Sequence, residues 1–225
     1  VVVRFSDPAQ LPAGAADAEP VGQLQMKAAS SQDRFEQFAA SNPHIEIKDS
    51  FWIANAKLVT VDTAQMPLRR LADVENVRRI HKNTKVSPLE TTPTVSQSTA
   101  GTQQVSPAAS DYTWGLNEIG VPSTWDQFDN RGDGVSVAVL DTGVDDSHPD
   151  ITVSKWKDFN ETNPYAEPKD YGYHGTHVSG TVTGGDASGT HIGVAPNATL
   201  YVGAVLTRGD QNFGTFSQIT NGIQW

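Results

Sequence analysis

At 225 residues the chain is long enough for one large domain or two small ones with buried cores. No apolar stretch approaches the roughly 18 residues of a membrane-spanning helix, and the absence of cysteine excludes disulfides, thiolate metal sites and a cysteine nucleophile. The net charge of −10 opposes binding to nucleic acid or to an anionic membrane surface.

The charge is unevenly spread. Residues 1–110 hold 11 acids and 11 Lys/Arg, whereas residues 111–225 hold 15 acids and 5 Lys/Arg, which predicts two units. The chain opens on Val1 with no basic-then-apolar leader, so no signal peptide is read in it.

In chain order, Val1–Phe5 is a short β-prone run and Ser6–Val21, rich in Ala, Pro, Gly and Asp, reads as a loop. Ser30–Ala40 has the 3.6-residue period of an amphipathic helix, with Phe35, Phe38 and Ala39 on one face. Ile45–Ile53 and Ala56–Val61 are β-prone runs joined at Ala54-Asn55, a hairpin candidate. Pro67 opens a short helix through about Ala72, and Val77–His81 reads as a last strand. Strand, helix, strand, strand, helix, strand is the split βαβ order of a ferredoxin-like α+β domain, here residues 1–82. Residues 83–110 are dominated by Ser, Thr and Pro and cannot bury enough surface to offset ordering; they read as an exposed linker, open to proteolysis within about Leu89–Asp111.

After the linker, Pro122–Phe128 reads as a short helix, and residues 135–140 as a strand buried on both faces. Ile151–Phe159 reads as irregular. Gly175–Thr183 reads as a helix ended by Gly184-Gly185, Thr199–Leu206 as a second apolar strand, and Phe216–Trp225 as the start of another helix. Strands alternating with helices predict α/β structure with a parallel sheet.

Two motifs carry the chemistry. Asp141-Thr142-Gly143-Val144-Asp145 places an acid where a parallel strand ends, the edge at which such sheets gather their functional groups. His174-Gly175-Thr176-His177-Val178-Ser179-Gly180 places a histidine at a helix start. An acid and a histidine so placed are two members of a nucleophilic triad. A single Asp-Thr-Gly disfavours an aspartic protease, which needs two carboxylates sharing a proton. His174 and His177, spaced i,i+3 without an intervening Glu, do not form a zinc protease motif. His177 reads as a packed helix residue; His44, His81, His148 and His191 read as surface or turn residues.

Together with Ser147-His148-Pro149-Asp150, Gly193-Val194-Ala195-Pro196 and Asn221-Gly222-Ile223-Gln224-Trp225, these motifs resemble, in order and spacing, the subtilisin-like serine proteases over residues 114–225. The cysteine-free, acidic second half resembles the secreted haloarchaeal members, the halolysins. The resemblance implies a partial doubly wound parallel sheet in residues 111–225 and an inhibitory propeptide in residues 1–82. It implies Asp141 and His174 as catalytic acid and base, polypeptides as substrates, and an extracellular setting. Asn212, Phe213 and Gly214 align with the segment that pairs with an extended substrate, and Leu206, Phe216 and Ile219 with an apolar lining. No cofactor is required for catalysis; a structural calcium is implied at Asp150, although Ala187 stands where the family often offers an Asn side chain. The family's Gly-Thr-Ser-Met-Ala-like serine motif and its oxyanion asparagine have no counterpart in these 225 residues, so the chain alone is expected to be inactive. The alternative is a propeptide inhibitor or folding module docking on a protease. The Arg69-Arg70 and Arg78-Arg79 pairs read as processing sites or, preferably, as solvated charges facing the acidic second half.

Overall fold

A computed structural model describes residues 1–7, 18–87, 111–209 and 213–225. They form two compact units, Val1–Val86 with Thr215–Trp225, and Ser87–Gly214.

The first unit contains β1 (Val2–Phe5), α1 (Pro20–Ala40), β2 (Ile45–Phe51), β3 (Ala56–Val61), α2 (Arg69–Ala72), β4 (Val77–His81) and β5 (Lys85–Val86). β1–β4 make one antiparallel sheet in the order β2-β3-β1-β4, the split βαβ topology expected from the order of elements. Alternation along the strands gives the sheet two apolar faces. One, with Val3, Phe5 and Val59, is closed by Phe35 and Ala39 of α1 and by Met66 and Leu71; Phe5 and Phe35 meet edge to face at 5.4 Å. Phe35 is fully buried, so Phe35→Ala removes a ring that the packed core cannot refill. Urea unfolding of the variant is expected to show a loss of about 3–5 kcal/mol.

The helix is longer than its amphipathic stretch suggested. It starts at Pro20, in its first turn where a missing N–H costs nothing. The β2–β3 connection also differs from the expected two-residue turn: residues 52–55 form it, and Asn55 adopts a left-handed φ of 43°. The Asn55 side chain accepts from Ser31 Oγ at 2.8 Å and Gln32 Nε2 at 3.1 Å, tying the turn to α1.

The second face, with Val2, Phe51 and Ala56, is met by Phe216 of α6 (Phe216–Gln224). Phe216 stands edge to face against Phe51 at 6.0 Å and His81 at 5.6 Å. A Thr215/Gln218 capping box starts α6. Asn83 adds to it, accepting from Ser217 N at 3.1 Å and donating to Ser217 Oγ at 2.9 Å. His81 is therefore packed against a ring rather than being a plain surface residue.

In the second unit, α3 (Trp114–Glu118) and α4 (Val121–Phe128) bury Leu116, Val121 and Trp125 together. β6 (Ser136–Asp141), β7 (Val153–Asp158) and β8 (Thr199–Ala204) make a parallel sheet in the order β6-β8-β7. The fold is mixed α/β, as expected. β7 corrects the reading of residues 151–159 as irregular. It is an edge strand whose Lys155 and Lys157 are solvated, which hides the apolar signal of a buried strand. Val139, Val144, Ile151, Leu200 and Val202 form the core, with Val178 of α5 (His174–Thr183) packed on it. The two-residue strand β9 (Gly214–Thr215) straddles the division between the units. Among the described residues no helix is long and apolar enough to cross a membrane.

Candidate active site

Asp141 ends β6 and His174 opens α5, so both stand on regular elements within one unit. His174 Nδ1 lies 2.8 Å from Asp141 Oδ1 and 2.9 Å from Oδ2. An ionised carboxylate can only accept, so Nδ1 carries the proton and Nε2 is left as a base. Asp141 is buried, and its Oδ1 also accepts from Thr142 N at 2.6 Å. The imidazole remains 48% exposed, which leaves it accessible to a reacting group.

Close backbone approach brings the two elements together. Gly143 has φ +112°, and a Cβ there would lie 1.9 Å from the Lys169 carbonyl oxygen. A Cβ on Gly175 would lie 2.1 Å from the Gly143 carbonyl oxygen. The two glycines of the motifs are thus required by space. Beside them, Gly175 N donates to Thr142 Oγ1 at 2.8 Å, and the Tyr171 backbone N donates to Thr142 O at 2.9 Å.

The residue capping α5, Tyr173, is in a left-handed conformation and provides no side-chain cap of its own. Asp170 serves instead: its carboxylate accepts from Gly172 N, Tyr173 N and Thr176 N at 2.8–2.9 Å. No motif singled out Asp170, because a cap four residues before a histidine in an irregular loop has no sequence signature of its own. Burial pushes its pKa up, but hydrogen bonds from Thr142, Thr176 and Gly172 outweigh this and hold it below the ordinary carboxylate value. A lowered folded-state pKa stabilises the fold above the unfolded value of about 3.9, and that contribution disappears as pH falls through the folded value. Thermal melts are therefore expected to show a larger drop in Tm between pH 6 and pH 3 for the unaltered chain than for Asp170→Asn.

The remaining candidate residues fall as follows. Leu206 is buried just beyond β8, its N–H donating to Asp141 O at 3.0 Å. Phe213 exchanges two backbone hydrogen bonds with Arg208, at 2.9 and 3.0 Å, and Gly214 is pressed against Val205 O, where a Cβ would come within 2.2 Å. Asn212 lies outside the described residues, as do residues 88–110 of the linker. Phe216 and Ile219 lie on α6 in the first unit.

Asp150 is buried; its Oδ1 accepts from Ser188 N at 3.1 Å, while Oδ2 has no partner among the described residues. It borders a polar cavity of about 400 Å³ with Asp186, Ala187 and Thr183. An orphaned carboxylate oxygen on such a cavity suits a hard cation. Among the described residues no cluster of three acidic or histidine side chains accompanies it; Asp186 and Thr183 line the same cavity.

Two further histidine readings are corrected. His177 is exposed on α5 rather than packed. His191 is no surface residue: it stacks on Tyr112 at 5.2 Å, meets Trp125 at 5.4 Å and leaves a buried Nδ1 without a partner among the described residues.

With this geometry in place, comparison with known proteins is specific. Residues 132–225 match the model of the subtilase family, Peptidase_S8. Subtilisin E of Bacillus subtilis (strain 168) is 41% identical over 119 residues, 52% of this chain and 30% of its own length. The subtilisin of Bacillus pumilus is 40% identical over 119 residues, 52% of this chain and 41% of its own. The major intracellular serine protease of Bacillus subtilis (strain 168) is 39% identical over 115 residues, 49% of this chain and 35% of its own. The matched part of this chain thus spans about a third of the length of these relatives, and the matched family segment contains Asp141, Asp170 and His174.

Proposed function

We propose that this chain supplies the acid and base of a serine endopeptidase, with residues 1–82 as its inhibitory propeptide and residues 111–225 as part of its catalytic domain. The observation that carries the proposal is the hydrogen-bonded Asp141–His174 pair at a parallel strand end and a helix start. In the reaction, His174 Nε2 takes the proton of a serine hydroxyl as that oxygen attacks the peptide carbonyl. It then returns the proton to the departing amine, while Asp141 holds the tautomer and stabilises the imidazolium. The serine and the oxyanion donor have no counterpart in these 225 residues, and the proposal requires them from another segment. Polypeptide substrates pair along residues 212–214, with Leu206, Phe216 and Ile219 as apolar contacts. Calcium at Asp150 is a structural proposal supported by the orphaned Oδ2.

A serine-directed fluorophosphonate tests this. It is expected to label and inactivate a polypeptide that carries this chain together with the serine segment, and to leave the 225-residue chain unlabelled. Labelling of the short chain would contradict the assigned division of roles. Full activity of the longer one after treatment would remove the serine-protease reading.

A second reading, an inhibitor or folding module, is favoured by one observation: the sheet of the first unit already holds a protease-type helix, α6, on its second face. Adding the full chain to subtilisin E distinguishes it; no inhibition at micromolar concentration removes it.

The acidic second half suits the high-salt, extracellular setting of the halolysins. Fifteen acids against five Lys/Arg repel one another across residues 111–225. Raising salt from 0.1 to 1 M shortens the Debye length from about 10 to about 3 Å. Tm is therefore expected to rise by several degrees over that range; a flat or falling Tm would oppose a halophilic assignment.

A further inference from the structure

We propose that Asp170 is the positioning residue of the Asp141–His174 pair, clamping the loop that follows the acid to the first turn of the helix that carries the base. Its meaning for catalysis rests on the triad reading above; the clamp rests on geometry alone.

The Asp170 carboxylate accepts five hydrogen bonds. Oδ1 takes Thr142 Oγ1 at 2.7 Å and the Gly172 and Tyr173 N–H groups at 2.9 Å; Oδ2 takes Thr176 N at 2.8 Å and Thr176 Oγ1. The two threonine hydroxyls come from opposite sides of the site. Thr142 follows Asp141 directly, and Thr176 lies two residues after His174. Each hydroxyl gives its proton to Asp170 and uses its lone pair for a backbone N–H on the other side. Thr142 Oγ1 accepts from Gly175 N of the helix at 2.8 Å, and Thr176 Oγ1 accepts from Asp145 N of the strand-end loop at 2.9 Å.

That crossed arrangement requires an acceptor with two oxygens. A carboxylate offers no proton, so it directs both hydroxyl protons toward itself and leaves both oxygens free to receive N–H groups. An amide in its place presents an NH₂ on one side, which can only donate, so the backbone N–H held there loses its acceptor and the hydroxyl facing it must turn its proton away. The Thr142–Gly175 link is adjacent in sequence to both the acid and the base, and small errors in such placement cost large factors in rate. Asp170 also holds the N–H of Tyr173, whose φ of 63° is unfavourable for a bulky residue and needs external support.

A role limited to helix capping would change stability without touching the imidazole. The readout is therefore the His174 Nδ1–H proton, followed by NMR in the full chain with ring-¹⁵N-labelled histidine and assigned by its absence in His174→Ala. The unaltered chain is expected to show a downfield, slowly exchanging Nδ1–H. Asp170→Asn, shown folded by circular dichroism, is expected to lose that signal or exchange it at least tenfold faster. Thr142→Val should do the same, whereas Thr142→Ser, which keeps the hydroxyl, should retain it. A folded Asp170→Asn with an unchanged Nδ1–H resonance overturns the proposal. Should Asp170→Asn not fold, the threonine pair decides: an unchanged resonance in Thr142→Val overturns it, and loss in Val with retention in Ser supports it. Failure of fluorophosphonate labelling would remove the peptidase reading while leaving this result standing.

Discussion

On the proposed triad, His174→Ala in a polypeptide that joins this chain to a serine segment is expected to lower kcat/KM for peptide hydrolysis by about 10⁴–10⁶, the range found for triads of this kind. Without the imidazole nothing removes the serine proton during attack, and what survives is the contribution of substrate binding and oxyanion stabilisation. Asp141→Asn is expected to cost about 10⁴ for a different reason. The amide NH₂ donates toward Nδ1, which moves the imidazole proton to Nε2 and leaves that atom unable to accept one. Because the pair is already formed in this structure at 2.8 Å, neither change needs a rearrangement to act. The measurement is a steady-state assay on a peptide substrate. A loss below tenfold for His174→Ala would show that the base is some other group.

Gly143→Ala is expected to destabilise the second unit by about 2–5 kcal/mol, from steric overlap and an unfavourable positive φ together. The added carbon would sit 1.9 Å from the Lys169 carbonyl oxygen and 2.9 Å from its carbon, both backbone atoms that cannot rotate away. The Val144 N–H to Lys169 O bond at 3.3 Å would be lost as the strands of the loop part. Since Gly143 O also faces Gly175, the displacement is transmitted to the residue after His174. The control is Gly115→Ala in α3, where a Cβ meets nothing within 4 Å; it should be neutral or stabilising by up to about 1 kcal/mol, as helix propensity dictates. Urea unfolding of both variants checks the contrast. Equal stabilities would mean that the close approach at Gly143 relaxes freely.

Asp141 and His174 stood out in the sequence because their neighbours are constrained by space. Gly143 and Gly175 sit where any side chain would strike backbone, so the Asp-Thr-Gly and His-Gly-Thr-His segments each record a backbone contact. The split βαβ order was legible for the usual reason, that alternation and helical periodicity mark which face is buried. β7 was not, since an edge strand with lysines on its exposed face carries no clear period. Nor was His191, whose burial comes from Tyr112 and Trp125, 79 and 66 residues away in sequence. α1 extended beyond its amphipathic stretch because its first turns bury little and so leave no periodic record.

Local sequence thus determined which residues could act: an acid at a strand end, a histidine at a helix start, and glycines where the chain must pass close to itself. Tertiary structure alone decided how they are held. Asp170 is an ordinary polar residue in the sequence, Thr142 and Thr176 show no partner there, and their hydrogen bonds cross between a loop and a helix about 30 residues apart. Hydrogen-bond direction depends on where each lone pair and proton points after folding, and no residue pattern along the chain encodes that.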